Sequence, residues 1–334
     1  VFTSGATESD NLAILGAARF YADRKGRHLI ASKIEHLAVV DAFKALEAEG
    51  FDVSWLEPGE DGLITPESVA AEIRSDTALV SVMHVNNELG TVNDIAAIAE
   101  LCRSQRVIFH VDAAQSFGKA ELDLAVTPVD LLSISGHKIY GPKGVGVLFV
   151  RRSPRVWLQP LMFGGGQERG ARPGTLATHQ IVGLGAATER IHEHRESAQA
   201  VIGTLQKRFL QILLSVEGVL LNGSVEQRLP NIVNFSVEGV NGEALLAGLP
   251  DLALATGSAC SSAEREPSSV LRALGRSDKL AEASLRVSFG NATTIDDVES
   301  AARQIATEIG RLRELSPRWP EALAVTSRSV AGVA

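Results

Sequence analysis

The residues with the clearest capacity for chemistry lie between Asp130 and Gly146, DLLSISGHKIYGPKGVG. Leu131, Leu132 and Ile134 form a short apolar run that reads as a buried strand. Ser135-Gly136-His137-Lys138 breaks that run, Gly141-Pro142 turns the chain, and Val145 to Val150 resumes as a second strand. A lysine at the end of a buried strand sits in a partly dry site. Desolvation lowers an amine's pKa, and the neutral amine is a nucleophile towards aldehydes. Lys138 placed in this way has the chemistry that pyridoxal phosphate (PLP) requires. A solvated loop lysine is the competing reading, and the surrounding residues have to decide between the two.

Those residues recur at equivalent places. His28 to Ser32, Leu79 to Val85 and Val107 to Val111 read as strands; Glu35 to Glu49 and Asp94 to Gln105 read as helices. Short apolar strands alternating with helices predict a mostly parallel, doubly wound α/β sheet, which binds ligands at the carboxyl ends of its strands. Asn87, Asp112, Gln115, Ser135 and Lys138 all fall on that edge. A buried carboxylate such as Asp112 keeps a pyridine nitrogen protonated, which PLP needs to act as an electron sink. Ser4 to Ser9 opens a helix, and its small residues leave backbone N–H groups free for a phosphate. An ordinary N-cap at Thr7 would look the same. His36, near a helix start, reads equally as a capping or core histidine.

Other chemistries fit less well. Gly136-His137-Lys138-Ile139-Tyr140-Gly141 is followed by Pro142, so the P-loop spacing fails. The eight histidines include no HExxH, and His192 and His194 lie on different faces of any helix. No resident metal is expected. The net charge of -8 and a pI near 5.6 argue against nucleic acid or an anionic membrane as the main partner. Two cysteines give no disulfide framework, so a reducing cytoplasmic compartment is expected. Val1-Phe2-Thr3 reads as the cut end of a strand, and the chain is expected to lack an N-terminal piece.

A chain of 334 residues suits two domains, with the boundary expected near Arg190 in a long helical stretch from His179 to Val216. Before it runs a long Gly-rich loop, Leu161 to Thr175, of the kind that carries function. Beyond the boundary, Ala255 to Ala263 (ATGSACSSA) surrounds Cys260 with small residues and offers nothing to bury it, as a travelling nucleophile would need. Cys102, by contrast, sits at helical spacing with Ile95, Ile98 and Ala99 and reads as core. Arg286, set in the alternating LRVSF, suits bidentate capture of a carboxylate; a structural salt bridge is the alternative.

SGATESDN, SKIEH, HVNNELG, HVDAAQS, SGHKIYGPKG, GGGQERG, RPGT, TGSACSSA and LRVSFG, in this order, resemble the cysteine desulfurases, and more narrowly the branch that supplies iron–sulfur clusters. The resemblance runs from Val1 to about Trp319, leaves the tail PEALAVTSRSVAGVA unmatched, and places a further family segment ahead of Val1. It implies a fold-type-I PLP-dependent transferase, with a PLP-binding large domain over residues 1–190 and a smaller α+β C-terminal domain over 191–334. It also implies a homodimer acting on L-cysteine. Carried over by position, Lys138 would hold PLP as a Schiff base, Asp112 would pair with the pyridinium, and His36 would stack on the ring and shuttle protons. Gln115 and Asn87 would contact the ring hydroxyl. Ala6, Thr7, Ser135 and His137 would hold the phosphate, with Thr175 reaching in from the other subunit. Arg286 and Asn87 would clamp the substrate carboxylate, and Cys260 would take the sulfur as a persulfide for an iron–sulfur scaffold or another acceptor protein, touching a cluster only in passing. A selenocysteine lyase, an aminotransferase or a non-catalytic sulfur-transfer module remain as alternatives.

Overall fold

The computed structural model describes residues 1–256 and 266–315. The chain divides into two units: Val1–Gly59, Leu63–Asn87 and Thr91–Arg195 form the first, and Glu60–Gly62, Glu88–Gly90 and Glu196 onward form the second.

In the first unit the strands are β1 (Phe2–Thr3), β2 (His28–Ser32), β3 (Asp52–Leu56), β4 (Thr77–Ser81), β5 (Ile108–Asp112), β6 (Leu131–Ser135) and β7 (Gly146–Val150). The helices are α1 (Ala6–Tyr21), α2 (Leu37–Ala48), α3 (Pro66–Glu72), α4 (Ile95–Ser104) and the start of α5 (Thr178–Leu213). One sheet runs in the order β1-β7-β6-β5-β4-β2-β3. Pairing is parallel from β3 through β6, while β7 is antiparallel to both β6 and β1. The sheet is therefore mostly parallel α/β, as the strand–helix alternation implies.

Alternation along the strands distributes the two faces. Leu29, Ala31, Leu79 and Leu131 pack with Leu12, Ala13, Ala17 and Phe43 of α1 and α2. Ile30, Val80, Phe109, Val111, Leu132 and Ile134 pack on the other side with Ile95, Ile98, Ala99 and Cys102 of α4. Cys102 is fully buried, as its helical spacing requires, and burial pushes its thiol up to about 12. The strand expected over Leu79 to Val85 is displaced: the regular strand ends at Ser81. The ladder nonetheless continues, because the N–H groups of Val82 and His84 donate to the carbonyls of His110 and Asp112. Hydrophobicity alone could not locate that end, since Val82, Met83 and Val85 are buried whether or not they are in a strand. Likewise α2 begins two residues later than expected, because His36 caps it from outside.

The second unit contains the rest of α5, β8 (Val219–Leu221), β9 (Ile232–Val237), α6 (Gly242–Ala247), β10 (Ala255–Thr256), α7 (Ser269–Ala273), α8 (Asp278–Glu282), β11 (Ser284–Ser288) and α9 (Ile295–Glu314). Its antiparallel sheet has the order β10-β11-β9-β8 and packs Phe235, Leu285 and Val287 against Phe209, Leu245, Ile305 and Ile309. No helix among the described residues is long and apolar enough to cross a membrane.

One close approach positions the start of α1. A Cβ on Gly146 would lie 2.6 Å from the Ile134 carbonyl and 2.7 Å from the Gly5 backbone, so only glycine lets the loop before α1 rest on β7. Gly146→Ala is expected to destabilise the fold by about 1–3 kcal/mol. Gly185→Ala, where a Cβ meets nothing within 4 Å in the exposed helix α5, should instead stabilise it by about 0.5–1 kcal/mol. Urea unfolding of both variants measures the contrast.

Candidate active site

On the face of the sheet that α1 covers, each central strand turns from apolar to polar towards its carboxyl end. Leu79 gives way to Ser81, Ile108 to His110 and then Asp112, and Leu131 to Ser133 and then Ser135. The inner face of α1 changes in step, from Ala17, Ile14 and Ala13 to the buried Asp10 and Ser9 near its start. Polar side chains thus meet polar side chains beneath the helix, and the site stands at that end.

One cluster forms around the α1 N-terminus. Ser135 pairs in register with Gly146, which in turn lies against Gly5, so the SGH and SGAT motifs are brought together. The Ser135 hydroxyl and His137 Nδ1 are 2.9 Å apart. Glu8 accepts the Ser4 N–H at 2.7 Å and receives both Nε and an Nη of Arg172 at 2.7 and 3.2 Å. Burial works to raise the Glu8 pKa, but the hydrogen bonds from Arg172 and Ser4 outweigh it and hold it below its usual range. The Arg-Pro-Gly stretch of the Gly-rich loop is thereby tied to the first turn of α1.

Lys138 is half-buried on a 3-10 turn, Gly136–Ile139, that directly follows β6; Tyr140 closes the turn at φ 63°. Lys143, one turn on, is exposed. Cations gather here. Burial and the charge of Lys138 hold Lys119 down at about 8, and burial together with Lys138, Lys143 and Lys119 lowers His137. Concentrated positive charge beside free helix N–H groups suits a phosphate dianion.

A second cluster is acidic. Asp112 is buried, its Oδ1 accepting the Ala114 N–H at 2.8 Å; burial raises its pKa, and the charge of Asp10 raises it further. Burial likewise pushes Asp10 up to about 7 and Glu35 well above its usual value. His110, two residues before Asp112 on the same face, bridges Ser81 at 2.9 Å and Ser133 at 3.0 Å, and burial keeps it neutral down to about pH 4. His36 is the N-cap of α2: its Nδ1 accepts the Ala38 N–H at 3.1 Å. A backbone N–H can only donate, so Nδ1 carries the lone pair and the ring hydrogen of neutral His36 sits on Nε2. Asn87 is buried nearby in sequence, after His84, and Gln115 is half-buried after Asp112.

These groups fit PLP. The helix start and the cations suit its phosphate, the buried carboxyl of Asp112 suits a cationic ring nitrogen, and Lys138 comes from the loop after β6. Ala6, Thr7, Ser135, His137 and Lys138 fall at the cationic end; His36 and Asp112 fall at the acidic end, His36 close enough to influence both Asp10 and Asp112. Thr175 is exposed on the loop after Gly174. Arg286 is half-buried on β11 of the second unit, opposite Asn234 on β9 and Ala255 on β10. Cys260 lies outside the described residues, four positions after Thr256. Asp10, Glu35, His110, Lys119 and Arg172 were not singled out in the sequence. Asp10 carried a legible signal, being a charged residue four before Ile14 on the apolar side of a helix; His110 had one too, two before Asp112 in a strand. A separate cavity of about 720 Å³ around Phe117, Ile134 and Phe149 includes none of the predicted site residues.

The aminotransferase class-V family matches residues 1–300. This chain belongs to that family, among its cysteine desulfurases. It is 59% identical over 319 residues to the cysteine desulfurase IscS of Azotobacter vinelandii, covering 96% of this chain and 79% of that protein. Among solved structures, a NifS-like protein superposes with a TM-score of 0.84 at 32% identity, covering 93% of this chain and 82% of the other. SspA in complex with cysteine superposes with a TM-score of 0.76 at 40% identity, covering 88% and 82%. The fold-type-I architecture implied by the motifs is that of this family.

The buried histidines set an acid limit. His84, like His110, is lowered to about 4 by burial, and its Nδ1 is buried without a partner. Folded His84 stays neutral where the unfolded chain takes up a proton. Its contribution to stability is whole above about pH 6.5 and is lost as pH falls towards 4. His84→Gln should therefore gain on the parent by about 3 kcal/mol between pH 7 and pH 4. Urea unfolding at the two pH values checks this, and an unchanged difference would refute it.

Proposed function

We propose that this chain is a PLP-dependent cysteine desulfurase, converting L-cysteine to L-alanine and carrying the sulfur on Cys260. The observation that carries the reading is the half-buried Lys138 on the loop after β6, with the cationic helix start and the buried Asp112 both on the same sheet edge. Bound there, PLP supplies an electron sink for charge developing at the substrate's Cα.

The chain's own residues divide the remaining work. Backbone N–H groups at Ala6 and Thr7, with Ser135 and His137, bind the phosphate, and Thr175 of a second subunit completes the cradle in a homodimer. Asp112 holds the charge that keeps the ring nitrogen protonated. Gln115 and Asn87 fix the ring hydroxyl, so the ring cannot swivel about its phosphate. His36 covers the ring and shuttles protons, its Nε2 bearing the hydrogen while Nδ1 accepts the Ala38 N–H, so that each proton it takes up displaces that cap. Lys138 anchors the cofactor and takes the proton from Cα. Only its neutral form is able to do so. Arg286 and Asn87 hold the substrate carboxylate. Net transfer then converts L-cysteine and the Cys260 thiol to L-alanine and a Cys260 persulfide. SspA, solved with cysteine, supports the substrate, and the IscS relatives support delivery to an iron–sulfur scaffold or another acceptor. A small-residue loop around Cys260 suits a thiol that must both reach the substrate and leave with its sulfur. The large- and small-domain division at about residue 190 belongs to the same reading.

Two measurements test the assignment. Borohydride followed by peptide mapping should fix the cofactor to the Lys138 peptide; Lys138→Ala should abolish the adduct and Lys143→Ala should keep it. An adduct on Lys143 would overturn the role of Lys138. Cys260→Ser should retain the cofactor's visible absorption yet lower alanine formation at least about a hundredfold, with no extra sulfur on its peptide by mass spectrometry. Cys102→Ser should leave turnover intact. Full alanine production by Cys260→Ser would end the desulfurase reading.

A further inference from the structure

Asp10 takes no part in the mechanism above, although it is as deeply buried as anything near the site. It is fully shielded from solvent, neither carboxylate oxygen has a hydrogen bond of good geometry among the described residues, and the Ser133 hydroxyl is the one donor close enough to favour its charged form. His110 Nε2 lies 3.5 Å from Asp10 Oδ1 and 3.0 Å from the Ser133 hydroxyl. The Ser133 hydroxyl has one proton, which reaches Asp10 only when His110 Nε2 carries the hydrogen and donates to the Ser133 oxygen. The groups facing Asp10 are Glu35 and His36 from the segment leading into α2, and His110 and Asp112 from β5. An ionised carboxylate with at most one hydroxyl donor in such a place is a costly arrangement for a fold to hold. Asp112 differs in one respect: it has the Ala114 N–H at 2.8 Å.

We propose that Asp10 is a positioning residue for Asp112, the two carboxyls sharing one negative charge, with the proton resting on Asp10 and the charge on Asp112. The inference deepens the cofactor reading above and rests on it for its purpose: the charge is kept where a cationic ring nitrogen is held. Two carboxylates in one dry site cannot both ionise readily, and the site with the fixed N–H donor keeps the charge. Protonated Asp10 also becomes a donor, and Ser133 and His110 are the acceptors within its surroundings. Burial pushing Asp10 up to about 7 accords with this, and His110, neutral down to about 4, does not supply a competing cation. Burial likewise raises Glu35 well above its usual value, which is why its own variant is included in the test.

Infrared spectroscopy of the protein as purified, between about pH 5 and 9, decides the matter. The wild type should show a protonated-carboxyl stretch that is lost as pH rises, with a midpoint near 7. Asp10→Asn, which imitates the protonated side chain, should lack that transition while keeping the cofactor's visible band and its retention on gel filtration. Glu35→Gln should keep the transition. Should Asp10→Asn fail to fold, Asp10→Ser carries the same expectation. Persistence of the transition in the Asp10 variant, or a wild type whose protonated-carboxyl absorption Asp10→Asn leaves unchanged, overturns the proposal. A wild type without a cofactor band would instead count against the functional reading, and the carboxyl titration would still decide where the proton lies.

Discussion

Much of the first unit depends on one constraint: α1 must cover the sheet with a face that is apolar at one end and acidic at the other. Ile14, Ala13 and Ala17 seal against Leu79 and Leu131 in the ordinary way, and that contact fixes the helix. Once it is fixed, Asp10 has no choice of environment; it is placed over His110 and Ser133. The hydrophobic contact supplies the stability that lets polar groups be buried further along the same helix. The start of α1 is positioned by the same packing, with Gly146 allowing Gly5 to approach β7.

The polar layer gains its chemical use from low dielectric. In water Asp10, Glu35 and Asp112 would all be ionised at neutral pH and would repel weakly. Under α1 they are driven towards neutrality, and small differences in donor geometry decide which one keeps a charge. Lys119 and His137 show the same principle with the opposite sign, since burial and nearby lysines both weaken their hold on protons. The two ends of the site are thus electrostatically opposed. A ligand with an anionic group at one end and a cationic ring nitrogen at the other is oriented before any side chain closes on it.

The second unit is held by different means. Phe209, Phe235 and Phe289 interlock in its core, with ring centroids 6.4 and 5.5 Å apart, and α9 is started by a reciprocal capping box between Thr294 and Asp297. Residues 88–90 of the HVNNELG motif are tied into this unit: Ser268 donates to Glu88, Arg228 to the Leu89 carbonyl, and the Leu229 N–H to the Gly90 carbonyl. Asn87, one residue earlier, belongs to the first unit.

Much was determined by the sequence alone. The β2, β5 and β6 strands, the helices α1 and α4, and the placing of Asp112, Ser135 and Lys138 on one edge all follow from hydrophobic period and from polar residues at strand ends. These are local signals, because alternation and helical spacing need only near neighbours. The ordered motifs gave the family and the chemistry. Tertiary structure decided what depends on residues far apart in the chain. Among these are the end of β4 at Ser81, where burial continues past the strand, and the role of His36 as a cap. The tie from Arg172 back to Glu8 spans 164 residues of the chain. The charge state of Asp10 and Asp112 was beyond the sequence for the same reason: a carboxyl's pKa is set by what surrounds it in space, and only the packing of α1 on the sheet brings those surroundings together.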